Sequence, residues 1–88
     1  MTRRLAVDVG STRIGLAISE GSLALPLETL TAGADGIARI QEIASTKAVD
    51  VIYVGLPMNL KGDFTASTHS AIEFARTLAS TGLTVRMI

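Results

Sequence analysis

Asp8 is the first residue whose type and position point to chemistry. It interrupts an apolar run, Leu5-Ala-Val-Asp-Val9, two residues before Gly10. A carboxylate there is costly unless it is paired, hydrogen-bonded or metal-bound. It reads as a metal ligand or phosphate-site residue at a strand end, or else as an Asp that caps the turn or pairs with Arg13. An isolated Asp-x-Gly does not separate the two. The turn that follows, Gly10-Ser11-Thr12-Arg13, offers backbone N–H groups and the Ser11 and Thr12 hydroxyls to a phosphate. Arg13 could hold a phosphodiester through two donors. The plainer alternative is an ordinary hairpin turn with an exposed Arg. A third candidate is Gly55-Leu-Pro-Met-Asn-Leu-Lys-Gly62, in which Asn59 and Lys61 are the polar groups. The alternative there is a polar connector.

Other residues are better explained by packing. His69 has no acid or nucleophile placed near it and reads as a surface or half-buried helix residue. Tyr53 and Phe74 read as core. Phe64 reads as a residue that packs on the start of the next helix rather than one that stacks on a base.

The elements that must position these groups follow from periodicity. Leu5, Val7 and Val9 alternate with Arg4, Ala6 and Asp8; beyond the turn Ile14, Leu16 and Ile18 alternate with Gly15, Ala17 and Ser19. This is a hairpin pattern. Pairing Val9 with Ile14 gathers every large apolar residue on one face and leaves Asp8 beside Gly15 and Ala6 beside Ala17 on the other. A one-residue slip would mix the faces. Residues 23–30 predict a third strand, and Pro26 marks it as an edge. Asp35 is a plausible N-cap for a helix in which Ile37, Ile40, Ile43 and Ala44 recur, ending near Lys47. Residues 50–56 are apolar on both parities, as in a parallel strand covered on both faces. A second helix runs from about Thr65 or Ser67 to Ser80, with Gly82 at its C′ position. Residues 83–88 form a fifth strand.

The order is β-β-β-α-β-α-β, an α/β class: three antiparallel strands, then two parallel strands added by helical crossovers. The first strand runs parallel to the fourth. Asp8, the Ser11–Arg13 turn and the Asn59–Lys61 loop therefore meet at one sheet edge, where open α/β sheets place ligands. With two helices available, one sheet face is expected to be only partly covered.

Composition narrows the classes. With 88 residues the chain makes one domain. Apolar residues make up 48% and mean hydropathy is +0.44, which excludes disorder. Eight basic residues balance eight acidic ones, so nucleic-acid binding would need a local patch, such as Arg4, Arg13 and Lys61. The absence of cysteine excludes disulfides and thiolate metal sites. A single histidine excludes a multi-histidine metal site. No apolar run approaches the roughly 20 residues that span a bilayer, and the start lacks the apolar run and cleavage site of a signal peptide. A cytoplasmic protein without a membrane partner is expected.

Asp8-Val-Gly-Ser-Thr-Arg-Ile-Gly-Leu-Ala-Ile-Ser19 closely resembles the opening motif of the YqgF (RuvX) family, and Ile52-Tyr-Val-Gly-Leu-Pro-Met-Asn-Leu-Lys-Gly62 resembles its second signature. Phe74 and Leu78 match its apolar positions in the following helix. The resemblance runs the length of the chain. It implies a ribonuclease-H-like fold, similar to Holliday-junction resolvases, and a nuclease that matures the 5′ end of precursor 16S ribosomal RNA. It further implies carboxylates that hold divalent metal, Mg²⁺ or Mn²⁺, with Asp8 matching the first of them. Precursor ribosomal RNA or branched DNA would be the partner, and a homodimer is compatible with the family pattern. The family's next acids lie in an Asp-Glu-Arg motif after the fifth strand and in a C-terminal helix. The expectation is therefore that residues 1–88 are the N-terminal part of one such domain, truncated before those acids and inactive alone. Glu20, Glu28 and Asp63 are the remaining acids weighed as ligands; Glu20 and Glu28 are not well placed beside Asp8.

Two other readings remain. Sugar kinases and actin-like ATPases also open with Asp-x-Gly-Ser/Thr on a hairpin that grips ATP phosphates, but they need two related domains. A nucleic-acid-binding module without catalysis would use the same basic edge.

Overall fold

A computed structural model describes residues 2–88. The strands are β1 (Arg4–Val9), β2 (Arg13–Glu20), β3 (Leu23–Thr31), β4 (Val51–Val54) and β5 (Val85–Met87), with α1 (Ala34–Thr46) between β3 and β4 and α2 (Ala66–Ser80) between β4 and β5. They form one sheet in the order β3-β2-β1-β4-β5. The β1–β2 hairpin has the expected register, Leu5 opposite Ile18 through Val9 opposite Ile14. β4 joins β1 in parallel, and β5 joins β4 in parallel. β3 is an edge strand, as Pro26 requires. A bulge lets Leu16 face Glu28 while Ala17 faces Pro26.

Handedness decides where the helices go. β3, β4 and β5 run in one direction, and each crossover moves the same way across the sheet. Right-handed crossovers then put both helices on one face. Burial agrees: Leu5, Val7, Ile14, Leu16, Ile18, Ile52 and Val54 form a single core with Ile40 and Ile43 of α1 and Ala71, Ala75 and Leu78 of α2. Among the described elements nothing packs on the other face. This corrects two expectations. Only Ile52 and Val54 of β4 join the core under the helices; on the other parity Val51 is buried outside that cluster. Tyr53, expected in the core, points the opposite way and is half-buried on the open face. Phe74 is partly buried against the core.

The first helix also starts differently from expectation. Gly33, with φ 134°, is its N-cap and no side chain caps it. Asp35 falls in the first turn, where its charge still suits the helix N-terminus. The early start brings Gly36 against β2, where a Cβ would stand 3.1 Å from Cδ1 of Ile14. No helix among the described residues is long and apolar enough to cross a membrane.

The second helix is tied down by two threonines. Thr65 is the N-cap, and Thr65 and Thr68 exchange bonds in a capping box. The Thr68 hydroxyl also donates to the Pro57 carbonyl, so one side chain joins the loop after β4 to the start of α2. Thr68 is fully buried. Thr68→Val keeps the shape and leaves the Pro57 carbonyl and the Thr65 N–H without that partner. It should lower unfolding free energy by about 1–3 kcal/mol in urea titration. An unchanged midpoint and slope would show that these bonds do not hold the loop.

Candidate active site

The β1–β2 register sets the site. Asp8 lies opposite Gly15, which in turn lies opposite Thr29, so these three share a row on the open face. On the other side of β1, Gly55 donates its N–H to the Val7 carbonyl at 3.0 Å. Asp8 thus stands between two glycines. A groove of about 550 Å³ opens over them, with Ala6, Ala17 and Tyr53 in its floor. A Cβ added at Gly15 would come only within 4.0 Å of the Asp8 Cβ, and one at Gly55 within 3.9 Å of the Val7 carbonyl. Backbone crowding therefore does not demand glycine at either position. Their smallness leaves room above the carboxylate.

Asp8 is exposed. The ion pairs among the described residues are Arg39–Glu28, Arg39–Glu42 and Arg76–Glu73, so the pairing of Asp8 with Arg13 that would have explained it structurally is not formed. Glu28 also borders the groove, but it is paired with Leu16 on the row that faces the helices. There its carboxylate accepts from Nη2 of Arg39 at 2.7 Å and from Nε at 3.0 Å. That two-point grip from Arg39 holds the Glu28 carboxyl below the usual carboxylate range, against a smaller opposing effect of burial. The same contact, with help from Glu42, raises the Arg39 guanidinium. Glu28 is a brace between edge strand and helix, not a second acid for Asp8. Glu20 and Asp63 are exposed, at the end of β2 and in the loop before α2.

The remaining candidates are arranged around the same sheet edge without touching Asp8. Gly10 donates its N–H to the Arg13 carbonyl at 2.8 Å, closing the turn. A Cβ on Gly10 would lie 2.8 Å from that oxygen, so glycine is needed for the close approach. Ser11 borders a separate cleft of about 150 Å³ against Ala66, Ser67 and Ser70 at the start of α2. The Thr12 carbonyl accepts from the Ala32 N–H, pinning the turn to the end of β3. Arg13 and Lys61 are exposed. Oδ1 of Asn59 accepts from the Lys61 and Asp63 N–H groups at 2.9 Å each, so that oxygen shapes its own loop. β1 and β4 are parallel, so their C-terminal ends lie at one sheet edge; among the described residues the candidate side chains there share no hydrogen bond or ion pair.

Among the described residues no three His, Cys, Asp or Glu side chains gather as a metal site. Asp8 is the one carboxylate free in the groove. The residues present therefore do not by themselves fit a divalent ion or an ion pair. Sequence reasoning did not anticipate Thr29 in the Asp8 row or the Glu28–Arg39 brace. Both depend on how β3 registers against β2 and α1, for which the sequence carries no local signal.

A mixed sheet in this order, opened by a hairpin with an Asp on its first strand and helices on one face, defines a ribonuclease-H-like α/β protein. The Thermus thermophilus RuvC structure in complex with Holliday junction substrate shares this fold, with a TM-score of 0.68 and 17% identity, covering 100% of this chain and 64% of that one. The chain belongs to the RuvX family, described as Holliday junction resolvase, whose model matches residues 2–88. A Corynebacterium jeikeium protein named "Putative pre-16S rRNA nuclease" is 50% identical over 78 residues, covering 84% of this chain and 50% of that protein. A Clavibacter sepedonicus protein of the same name is 47% identical over 91 aligned residues, covering 97% of this chain and 56% of its own length. The chain spans about half the length of these curated relatives.

The Glu28–Arg39 brace has a pH signature. Its folded carboxyl titrates below the unfolded one, so its stabilisation is fully present above the ordinary glutamate range. It is lost as pH falls through the lowered folded value. Glu28→Gln should melt slightly below the parent near neutrality, with a small gap because the pair is partly exposed. That gap should close in acid. A gap that does not change with pH would assign the loss to packing instead.

Proposed function

We propose that this chain supplies the first carboxylate and the substrate-facing sheet of a nuclease that hydrolyses phosphodiester bonds in structured nucleic acid, with precursor 16S ribosomal RNA as its substrate in the cytoplasm. The observation that carries this reading is Asp8, a free carboxylate on a floor of glycine and alanine at the C-terminal edge of a parallel pair of strands. The names of the curated relatives support the substrate. The Thermus neighbour, which holds a Holliday junction substrate, supports a structured nucleic acid on this fold.

Each residue has a role in the proposal. Asp8 is the catalytic carboxylate and one ligand of a divalent ion, Mg²⁺ or Mn²⁺. Asp8 without further acids beside it does not hold such an ion, so these residues alone do not cleave. Gly15 and Gly55 keep the space above Asp8 open for a phosphate. Arg13, with the Ser11 and Thr12 hydroxyls, meets backbone phosphates on one side of Asp8. On the other side Lys61 meets them, with the side-chain NH2 of Asn59, whose Oδ1 is held by its own loop. Contacts of this kind position a strand without reading its sequence.

In the full-length protein, Asp8→Asn keeps the shape and removes the charge. RNA cleavage should fall to background while melting temperature and RNA binding hold. Cleavage near the parent rate would remove Asp8 from the chemistry. Arg13→Ala and Lys61→Ala should each weaken binding to all sequences alike and reduce the slope of log K against log salt by about one. Unchanged slopes in both would make them ordinary surface charges.

A further inference from the structure

Six large apolar side chains are exposed among the described residues, and three of them, Met58, Leu60 and Phe64, stand in the loop between β4 and α2. Leu60 is fully exposed. This loop is braced at every level. Met58 and Phe64 form an antiparallel bridge across its base. Asn59 closes its turn through both backbone and side chain, receiving the Gly62 N–H on its carbonyl and the Lys61 and Asp63 N–H groups on Oδ1. Gly62 takes the left-handed φ of 80° that the turn needs. Thr68 holds the Pro57 carbonyl at one end. At the other, Phe64 precedes the N-cap and packs edge-on to His69, ring centroids 6.0 Å apart, which is the staple position on α2.

A braced loop pays little ordering entropy when it binds, and its apolar tip already faces water. Its place narrows the partner. Gly55, which borders the groove over Asp8, is three residues before Met58, so the chain keeps the base of the loop within about 11 Å of that groove wall. Lys61 sits in the turn beside Leu60. An apolar side chain next to an ammonium matches a base step next to its backbone phosphate. A stable protein interface needs about 800 Å² per partner, far more than a three-residue tip offers.

We propose that the Met58–Phe64 loop is a wedge that inserts Leu60 into the base stack of a structured nucleic acid and opens the helix beside the bond presented to Asp8. The inference rests on the nuclease reading of the site but is tested by binding, not by cleavage. Full-length protein carrying Asp8→Asn is mixed with a precursor 16S RNA helix labelled with 2-aminopurine at each step around the cleavage position. Fluorescence should rise at one step as it unstacks. Leu60→Ser in the same background should abolish the rise and weaken helix binding about tenfold, the equivalent of one buried leucine, with single-stranded RNA bound as before. Leu60 is fully exposed, so melting temperature should not move; Met58→Ser serves as the second variant. A rise that persists in both variants overturns the wedge, as does equal weakening on helix and single strand. A parent that binds the helix with no rise anywhere overturns the wedge and leaves the nuclease reading standing. A parent that binds no nucleic acid overturns both.

Discussion

Everything in this structure depends on the register of one hairpin. Val9 opposite Ile14 puts Leu5, Val7, Ile14, Leu16 and Ile18 on the face that the helices cover, and Ala6, Asp8, Gly15 and Ala17 on the face they do not. A slip of one residue would mix the faces: with β2 held in place, Asp8 would turn into the core and Val7 out to water. The side-chain period of a strand is two, so no intermediate arrangement exists. Burying an unpaired carboxylate and exposing large apolar groups both disfavour the slip. The same pattern that builds the core therefore delivers the carboxylate to the open face.

The second constraint is topological. Both crossovers travel the same way across the sheet, so both helices pack on one side. That leaves an exposed sheet face with a shallow groove, Tyr53 half-buried in its floor and Ile88 at its margin. The brace between Glu28 and Arg39 ties the far edge strand to α1 on the covered side, which keeps that acid away from Asp8. The two faces are thus divided by function: packing and ion pairs on one, a free carboxylate on the other.

Much of this was legible in the sequence. Strict alternation in residues 4–20 specified the hairpin and its register, Pro26 the edge, and Gly82 the end of α2, where φ is 96° at the C′ position. The Asp8 and Gly55–Gly62 motifs pointed to the family. What the sequence did not show came from tertiary geometry. β4 is apolar on both parities, yet only Ile52 and Val54 meet helices, because handedness rather than hydrophobicity chooses the covered face. Asp35 is a good capping residue, but Gly33 starts the helix earlier so that Gly36 can approach Ile14. Asn59 looks like a ligand-binding side chain, and its oxygen is spent on the loop's own turn. The spacing of residues along the chain carries none of these facts.

The central claim is that the space over Asp8 is kept open by small residues that the fold itself does not require. Gly15→Val in the full-length protein tests it directly. A Cβ there meets nothing closer than 4.0 Å, and a β-branched residue suits a strand better than glycine, so melting temperature should hold or rise. RNA cleavage, measured beside it, should fall to background because the side chain fills the room next to the carboxylate. A variant that is equally stable and cleaves at the parent rate would contradict the account.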